Sequence, residues 1–354
     1  GLLKTLHEAH AYQFQKNAKP YEHQLKAWES LLGDTPRSAV ITSGTGSGKT
    51  ECFMVPILED LMREHAQKRQ PLAGVRALFL YPLNALINSQ QERLDAWTRA
   101  SGQNIRFCLF NGKTEESSVA VRKEQSLKPN QILSRELLRR EPSPILLTNA
   151  TMLEYMLVRQ VDSPIIEISK QQQTLRWIVL DEAHTYVGSQ AAEMSLLLRR
   201  VVQAFGKNPQ QIRFVATSAT IAGSDAEDRL RRYLADLAGV QPEQIDVIGG
   251  SRVWPDIKLD VKNNALELSE IEAIDKTLDV SAGRFTALSQ SPIATKIRHV
   301  VVSSGSPVDL NDLVNVVQET LKSSTKMDQQ KEVLHWLDVM TGTRFEKDSQ
   351  PFLK

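Results

Sequence analysis

Short apolar runs alternate with amphipathic stretches between about residues 38 and 238 of the chain. The runs are almost continuously apolar and rich in β-branched residues, which is typical of strands covered on both faces of a sheet. They occupy residues 39–41, 77–80, 105–110, 145–147, 177–180 and 212–216. The stretches between them, such as residues 84–97 and 191–202, place apolar side chains at helical spacing. Strands that alternate with helices predict an α/β fold with a parallel, doubly wound sheet, whose ligands bind beyond the carboxyl ends of the strands.

The pattern changes after about residue 240. Strand-like pieces at residues 245–248 and 257–261 precede four helical stretches, which are predicted around residues 266–278, 293–301, 310–321 and 333–340. Short helices separated by turns suit either a winged-helix-like module or a plain helical insert, and the pattern leaves both open. We therefore predict a first domain over residues 1–255 and a mostly helical second domain over residues 256–354.

The composition narrows the class of protein. The 354 residues carry a net charge of +1, which is not the basic balance typical of a nucleic-acid-binding domain, so any nucleic acid must be held by local groups. No apolar run is long enough to span a bilayer and no secretory signal is visible, so no membrane partner is expected. Cys52 and Cys108 are too few for a disulfide framework or a zinc site, and we expect buried thiols in a cytoplasmic protein.

A glycine-rich segment follows the first predicted strand and opens a helix predicted at residues 51–63. It reads Ser43-Gly44-Thr45-Gly46-Ser47-Gly48-Lys49-Thr50. Glycines let successive backbone N–H groups turn toward phosphate oxygens, and the helix N-terminus adds its positive dipole end. Lys49 is expected to reach the β- and γ-phosphates of ATP, and the Thr50 hydroxyl to ligate Mg²⁺. The strand–helix setting and the Lys-Thr pair argue against the alternative, a glycine-rich surface turn, although Ser43 stands where the pattern has glycine.

Two acidic residues end the strand predicted at residues 177–180. Asp181 is expected to hold Mg²⁺ through water, and Glu182 to act as the general base that deprotonates the attacking water. An acidic cap at the start of a helix is the alternative for such a pair, and the phosphate-binding segment argues for the metal. The two segments together predict an ATP hydrolase with ATP and Mg²⁺ as cofactors and with Lys49 and Glu182 as catalytic residues.

These residues resemble the DEAD/DEAH-box helicases of superfamily 2, over about residues 15–255. Asp181-Glu182-Ala183-His184 is similar to the DEAH box, and Thr217-Ser218-Ala219-Thr220 resembles motif III. The resemblance implies a RecA-like P-loop NTPase lobe. It also implies that His184 is a further catalytic residue that couples the ATP site to motif III, where Ser218 and Thr220 are the expected coupling residues. An ordinary polar residue is the alternative for His184.

Upstream of the phosphate-binding segment, Gln24 looks like the family's adenine-reading glutamine, and Tyr21 is a candidate stacking ring. A surface helix residue is the alternative for Gln24. Both residues join the segment from Ser43 to Thr50 in the expected nucleotide site.

Three loops stand where the family grips nucleic acid. Tyr81-Pro82-Leu83-Asn84 occupies the place of motif Ia, Thr148-Asn149 that of motif Ib, and Asn111-Gly112-Lys113-Thr114 lies between them. The resemblance implies contacts with the phosphates of one strand from Pro82, Leu83, Asn84, Gly112, Thr148 and Asn149. Asn84 stands where many relatives carry arginine, so one charge contact is in doubt. Helix caps and loop turns without a ligand are the alternative for each position taken singly.

Residues 81–90 and 148–157 resemble the large helicases of bacterial anti-phage defence systems, with the Druantia type favoured over the DISARM type. This resemblance implies DNA as the track, as a single strand or a junction between single strand and duplex, and other defence-system proteins as partners. The arginine-rich element of a second RecA-like lobe is not found after residue 221. That lobe of the full-length protein is therefore a further expected partner, and without its arginines the chain is expected to bind nucleotide but to hydrolyse it very poorly.

Two alternatives to a helicase or translocase stay open. One is a P-loop ATPase that remodels protein partners, and the other is a nucleotide-responsive binding module without unwinding activity. A module that has lost ATP hydrolysis is disfavoured by the residues kept for it, Lys49, Thr50, Asp181 and Glu182. The loops that resemble motifs Ia and Ib argue against an ATPase that remodels proteins.

Overall fold

The computed structural model describes residues 2–16, 19–44, 46–82, 84–218, 225–250, 261, 265–275, 280–304, 308–323, 325–345 and 351–353, apart from the side chains of residues 84–89. The chain divides into two compact units, Gly1–Ser251 and Arg252–Lys354. The domain boundary predicted at residue 255 lies outside the described residues and stays a prediction. Thr45, Leu83 and Thr220 of the predicted site also lie outside them, as does most of the strand predicted at residues 257–261.

Eight parallel strands form one sheet in the first unit, in the order β4-β3-β5-β2-β6-β7-β1-β8. They are β1 (Ser38–Thr42), β2 (Ala77–Leu80), β3 (Phe107–Leu109), β4 (Gln131–Ile132), β5 (Ile145–Thr148), β6 (Trp177–Leu180), β7 (Arg213–Ser218) and β8 (Ile245–Gly249). The six strands predicted before residue 238 and the parallel sheet are confirmed. Strand β4 was not predicted, because two residues carry no recognisable pattern. The apolar run at residues 245–248 pairs with β1 and forms an edge of the sheet.

The first two helices of the first unit precede β1, and the others connect the parallel strands. In chain order, the helices are α1 (Leu2–Glu8), α2 (Glu22–Leu31), α3 (Lys49–Lys68), α4 (Asn84–Thr98), α5 (Arg122–Leu127), α6 (Arg135–Arg140), α7 (Ala150–Val158), α8 (Ser163–Gln171), α9 (Ser189–Ala204) and α10 (Ala226–Ala238). Single 3₁₀ turns lie at Arg99–Ser101, Gln160–Asp162, Ala183–Thr185, Pro209–Gln211 and Pro242–Gln244. Parallel strands need such crossover connections.

Two apolar cores lie on opposite faces of the sheet, because successive residues of a strand point to opposite sides. In β2, Leu78 and Leu80 lie in one core and Ala77 and Phe79 in the other. Helices α6 to α10 pack against the first core and α1 to α4 against the second. Helices therefore cover both faces, which explains the continuously apolar strands and confirms the doubly wound arrangement.

The second unit is mostly helical, as predicted. Its described helices are α11 (Leu268–Ala273), α12 (Ala282–Gln290), α13 (Pro292–Ser303), α14 (Leu310–Val317) and α15 (Lys326–Gly342), with a 3₁₀ turn at Gln318–Thr320. Helix α12 was not predicted; its start is set by Ser281, whose hydroxyl accepts a hydrogen bond from the Arg284 backbone N–H at 3.0 Å. Between the described residues of this unit, β-pairing is limited to the bridges of Arg344 with Val280 and Pro351, so the choice between a winged-helix-like module and a plain helical insert stays open.

Cys52 and Cys108 are both free and buried, as predicted. Burial raises the pKa of the Cys52 thiol to about 12, so this thiol is protonated near neutral pH. In the described part of the chain, no helix combines the length and the apolar character that crossing a membrane requires.

Candidate nucleotide site

The predicted catalytic segments meet at one edge of the sheet, because β6, β7 and β1 are adjacent and parallel. Strand β7 pairs with β1 through Thr217 and Ile41, and with β6 through Ala216 and Leu180. The glycine-rich loop after β1 and Asp181 after β6 are therefore two strands apart, about 10 Å at the usual strand spacing. The end of β7 lies between them.

The glycine-rich loop curls back toward its own start. Gly46 and Gly48 have φ angles of 74° and 79°, in the left-handed region that favours glycine. The Lys49 ammonium donates a hydrogen bond to the Ser43 carbonyl at 2.9 Å, and the hydroxyls of Ser43 and Ser47 lie 2.5 Å apart. A β-carbon at Gly48 would lie too close to the Gln24 amide nitrogen. The loop is thus packed against a side chain from α2.

Gln24 is buried, so the alternative of a surface helix residue does not apply. Its amide oxygen accepts a hydrogen bond from the Tyr21 N–H at 3.0 Å, and its amide nitrogen donates to the Gly48 carbonyl at 3.3 Å. The His23 ring lies 3.0 Å from the Ser47 carbonyl oxygen. The Tyr21 ring is 58% exposed and stacks on His23, with 5.6 Å between the ring centroids. Helix α2 therefore holds the loop and leaves an aromatic face open beside it, while the adenine-reading role stays a prediction.

Asp181 is held by the end of β7. The Thr217 hydroxyl donates a hydrogen bond to the Asp181 carboxylate and accepts one from the Glu182 N–H at 2.9 Å. Burial raises the pKa of Asp181 above its usual range, against the opposing effects of the Thr217 hydrogen bond and the positive charge of Lys49. Asp181 thus interacts electrostatically with Lys49. Burial destabilises its ionised carboxylate, and a bound cation would stabilise that carboxylate.

Glu182 stands at a tight turn with a φ angle of 51°. Its carboxylate lies 3.4 Å from the Nδ1 atom of His184, and both side chains are partly exposed. From α10, the Tyr233 hydroxyl donates to the carbonyls of Ala183 and Tyr186 at 2.6 and 3.0 Å. The turn that carries Glu182 and His184 is therefore fixed to the fold, while the Glu182 carboxylate remains accessible.

Thr50 and Asp181 together suit Mg²⁺, which prefers hard oxygen ligands and takes the rest from phosphates and water. The Thr50 hydroxyl accepts a hydrogen bond from the Gln90 amide of α4, at 3.5 Å between heavy atoms. Within the described ranges, no cluster of three or more His, Cys, Asp or Glu side chains could hold a metal by itself. A metal at Thr50 and Asp181 would therefore depend on the triphosphate of ATP.

The loops with predicted nucleic-acid contacts follow β2, β3 and β5, which are also neighbours in the sheet. The Thr148 side chain is buried and donates a hydrogen bond to the Phe110 carbonyl at 2.7 Å. The Asn149 side chain caps α7 by accepting from the Met152 N–H at 2.9 Å. Both side chains have structural roles here, and their contacts with nucleic acid stay predictions, while Lys113 in the loop after β3 is exposed.

The remaining loop positions also lie at this edge. Gly112 is exposed, Pro82 is partly buried, and Asn84 is the first residue of α4. Contacts of these residues with nucleic acid stay predictions.

Sequence reasoning missed several residues that position the site. Thr217 was part of the stretch that resembles motif III, but only the register of β7 against β6 shows that its hydroxyl meets Asp181. Gln90, His23 and Tyr233 carried no local signal, since their partners lie on other elements. Ser218, a predicted coupling residue, has a buried hydroxyl without a hydrogen-bond partner among the described residues. That hydroxyl stays available for the predicted coupling role.

Known proteins similar to this chain are ATP-dependent helicases and a Druantia protein. The chain is 26% identical over 343 residues to the Druantia protein DruE of Escherichia coli (strain UMEA 4076-1), across 72% of this chain and 19% of the relative. It is 28% identical over 205 residues to the uncharacterized ATP-dependent helicase YprA of Bacillus subtilis (strain 168), across 57% of this chain and 23% of the relative. The chain thus spans about a fifth of the length of these relatives.

Among solved structures, the DUF1998 helicase MrfA bound to DNA is similar over 70% of this chain and 27% of that chain, with a TM-score of 0.47 and 22% identity. The profile of the DEAD/DEAH box helicase family matches residues 21–229, which is more than half of the 354-residue chain. The chain therefore belongs to the DEAD/DEAH box helicase family.

Proposed function

We propose that this chain is the ATP-binding lobe of an ATP-dependent helicase or translocase that acts on DNA in bacterial anti-phage defence. One observation carries the nucleotide part: the glycine-rich loop that leads into Lys49 and Thr50 at the start of α3 lies at the same sheet edge as Asp181, which is held by Thr217. The charges of Lys49 and Asp181 act on each other there. This is the arrangement that binding of a metal–triphosphate requires.

In the proposed mechanism, backbone N–H groups of residues 44–48 and the Lys49 ammonium bind the triphosphate. The Thr50 hydroxyl and the Asp181 carboxylate would hold Mg²⁺, which supplies neutralisation of the phosphate charge. Lys49 must then exchange the Ser43 carbonyl for phosphate oxygens, which are stronger acceptors for an ammonium. Glu182 is accessible and would orient and deprotonate the attacking water, while His184 holds its carboxylate in place.

Nucleic acid is the proposed track because the three predicted phosphate-binding loops follow adjacent strands, and DNA is chosen because the chain resembles the Druantia helicases. Small polar residues and backbone amides suit phosphates without reading bases. The likeness to DruE over 72% of the chain supports the defence role and other defence-system proteins as partners. We place the protein in the cytoplasm, where free buried cysteines such as Cys52 and Cys108 are ordinary.

A second RecA-like lobe is the proposed partner that completes the ATP site. Absence of a completing arginine costs on the order of 10³–10⁵-fold in turnover. Ordinary enzymes turn over at about 1–10³ s⁻¹. This chain alone should therefore hydrolyse ATP at a small fraction of the rate of the full-length protein, with or without DNA. A DNA-stimulated turnover of about 1 s⁻¹ or more from this chain alone would refute the proposed dependence on that lobe.

Fluorescence anisotropy with labelled oligonucleotides tests the track. Single-stranded DNA, duplex DNA and RNA of one sequence would be titrated with the full-length protein in the presence of a non-hydrolysable ATP analogue. Lys113→Ala should weaken binding, because Lys113 is exposed in the loop after β3. Lys170→Ala is the matched control. Lys170 is exposed near the end of α8, before β6, and so lies at the amino ends of the strands, away from the predicted nucleic-acid loops.

Tighter binding of DNA than of RNA, weakened by the first variant alone, supports the proposal. No affinity for any nucleic acid in any nucleotide state would contradict it and favour an ATPase that remodels protein partners.

A further inference from the structure

Gln90 on α4 has an unusual hydrogen-bonding state beside the predicted metal ligand. Its amide nitrogen donates to the Thr50 hydroxyl oxygen at 3.5 Å, a long and weak contact. Its amide oxygen is buried and has no hydrogen-bond partner in the part of the chain that the structure describes. A buried acceptor without a partner is destabilising, so its presence beside the phosphate-binding loop calls for a functional reason.

The hydrogen-bonding capacity of a threonine hydroxyl supplies that reason. The group has one O–H donor and two acceptor lone pairs. When the oxygen of Thr50 coordinates a metal ion, a lone pair is used by the metal and the O–H becomes a stronger donor that needs an acceptor. The Gln90 amide oxygen that has no partner belongs to the same amide whose nitrogen donates to Thr50. A rotation of that amide by about 180° would therefore present an acceptor to the Thr50 hydroxyl in place of a donor.

A second contact fixes the spacing between the two helices. Glu51, the residue after Thr50, forms an ion pair with Arg93, which lies three residues after Gln90 on α4. Residues three apart lie on the same face of a helix, so these two contacts run side by side. The Arg93 guanidinium also lies 4.9 Å from the centre of the Tyr12 ring, a cation–π contact that further restrains it. Gln90 is therefore held within reach of Thr50 whichever way its amide points.

We propose that Gln90 is a positioning residue for the magnesium-bound state: its amide oxygen accepts the hydrogen bond from the metal-bound Thr50 hydroxyl, and its amide nitrogen serves Thr50 when the metal is absent. This inference rests on the proposed function, since it concerns the same metal–nucleotide site. It also links that site to the helix that begins at Asn84. Gln90 is six residues into α4, about 9 Å along the helix axis from the predicted nucleic-acid loop.

The test compares how much Mg²⁺ strengthens ATP binding in matched variants. The affinity of a fluorescent ATP analogue would be measured in EDTA and in excess Mg²⁺, and the ratio of the two dissociation constants gives the magnesium enhancement. Gln90→Leu keeps the volume and removes the acceptor. We expect it to lower the enhancement about tenfold, the size of one hydrogen bond to a charged partner, and to leave binding in EDTA within about twofold.

Two further variants separate positioning from structure. Gln90→Glu keeps an acceptor oxygen and should retain the magnesium enhancement. Gln91→Leu alters the next residue, whose amide contacts Gln131 at 3.4 Å, and should leave the enhancement unchanged. Gln90→Leu should not lower the thermal unfolding midpoint, because it removes a buried acceptor that has no partner.

An enhancement in Gln90→Leu equal to that of the wild type would overturn the inference alone, as would an equal loss in Gln91→Leu. A wild-type chain that fails to bind the analogue in either condition would overturn the nucleotide site as well.

Discussion

Replacement of Thr217 by valine isolates the contact that positions Asp181. The two side chains have nearly the same shape, so the change removes one hydroxyl and adds one methyl group. The carboxylate of Asp181 then loses a hydrogen-bond donor, and the Glu182 N–H loses its acceptor. Both partners stay in place and only their hydrogen bonds are lost, which makes the cost attributable to this one group.

The magnitude follows from these two contacts. A hydrogen bond to a charged group contributes about 1.5–3 kcal/mol, and an ordinary one about 1 kcal/mol. The added methyl group returns about 0.8 kcal/mol through burial. We therefore expect Thr217→Val to lower the free energy of unfolding by about 2–3 kcal/mol at pH 7.

The loss of unfolding free energy in Thr217→Val, called the deficit below, should depend on pH, and the ionisation of Asp181 decides whether it grows or shrinks with pH. Burial already raises the pKa of Asp181, and the Thr217 hydrogen bond opposes that effect. Loss of the bond raises the pKa of Asp181 further. A carboxyl group whose pKa is raised by folding destabilises the folded state when it is ionised. This loss of stability appears as pH rises through the folded pKa. The deficit of Thr217→Val should therefore be smaller near pH 4 than at pH 7.

Urea unfolding followed by far-ultraviolet circular dichroism at both pH values measures these differences. Ser218→Ala is the matched control from the same strand. Its hydroxyl is buried without a partner among the described residues, so its removal should change the free energy of unfolding by less than about 0.5 kcal/mol. Equal stability of the two variants at pH 7, or a deficit of Thr217→Val that grows as pH falls, would refute this reasoning.

Three other substitutions test separate contacts. Gly48→Ala should weaken ATP binding at least about tenfold in a fluorescence titration, because its β-carbon would press on Gln24 and its φ of 79° is strained for alanine. Glu64→Gln should cost about 3 kcal/mol in urea unfolding at pH 7, since it breaks a pair with the buried Arg76. Burial alone would raise the pKa of Glu64, but hydrogen bonds from Arg76 and its neighbours hold it well below the usual range, so the deficit should shrink as pH falls below about 4. Tyr233→Phe should cost about 1–2 kcal/mol in the same assay, because it removes the donor that fixes the turn after Asp181.

The apolar pattern was sufficient to predict the parallel sheet and its helices on both faces. Strands buried on both sides must be continuously apolar, and β2 and β6 show this clearly, with every residue buried. The pattern could not predict the two-residue β4, or that residues 245–248 join the sheet beside β1. Edge pairing depends on tertiary contacts that a short run does not encode.

The glycine-rich loop and Asp181 were predictable because phosphate and metal chemistry constrain residue types over a short span. The contacts around them were not, since each joins distant parts of the chain. The bond from Thr217 to Asp181 crosses 36 residues and that from Gln90 to Thr50 crosses 40. The structural roles of Thr148 and Asn149 were likewise hidden, because a helix cap and a phosphate-binding residue share the same polar side chains.

Equilibrium binding of ATP to this chain, with and without Mg²⁺, tests the central claim most directly. Isothermal titration calorimetry of the wild type, Lys49→Ala and Asp181→Asn would give the affinities. The account predicts that Lys49→Ala weakens binding about 30-fold or more in both conditions, as expected for loss of a charge-assisted contact. It predicts that Asp181→Asn loses the strengthening by Mg²⁺ while its affinity in EDTA stays near that of the wild type. Wild-type affinity for ATP in Lys49→Ala, with a full magnesium response in Asp181→Asn, would contradict it.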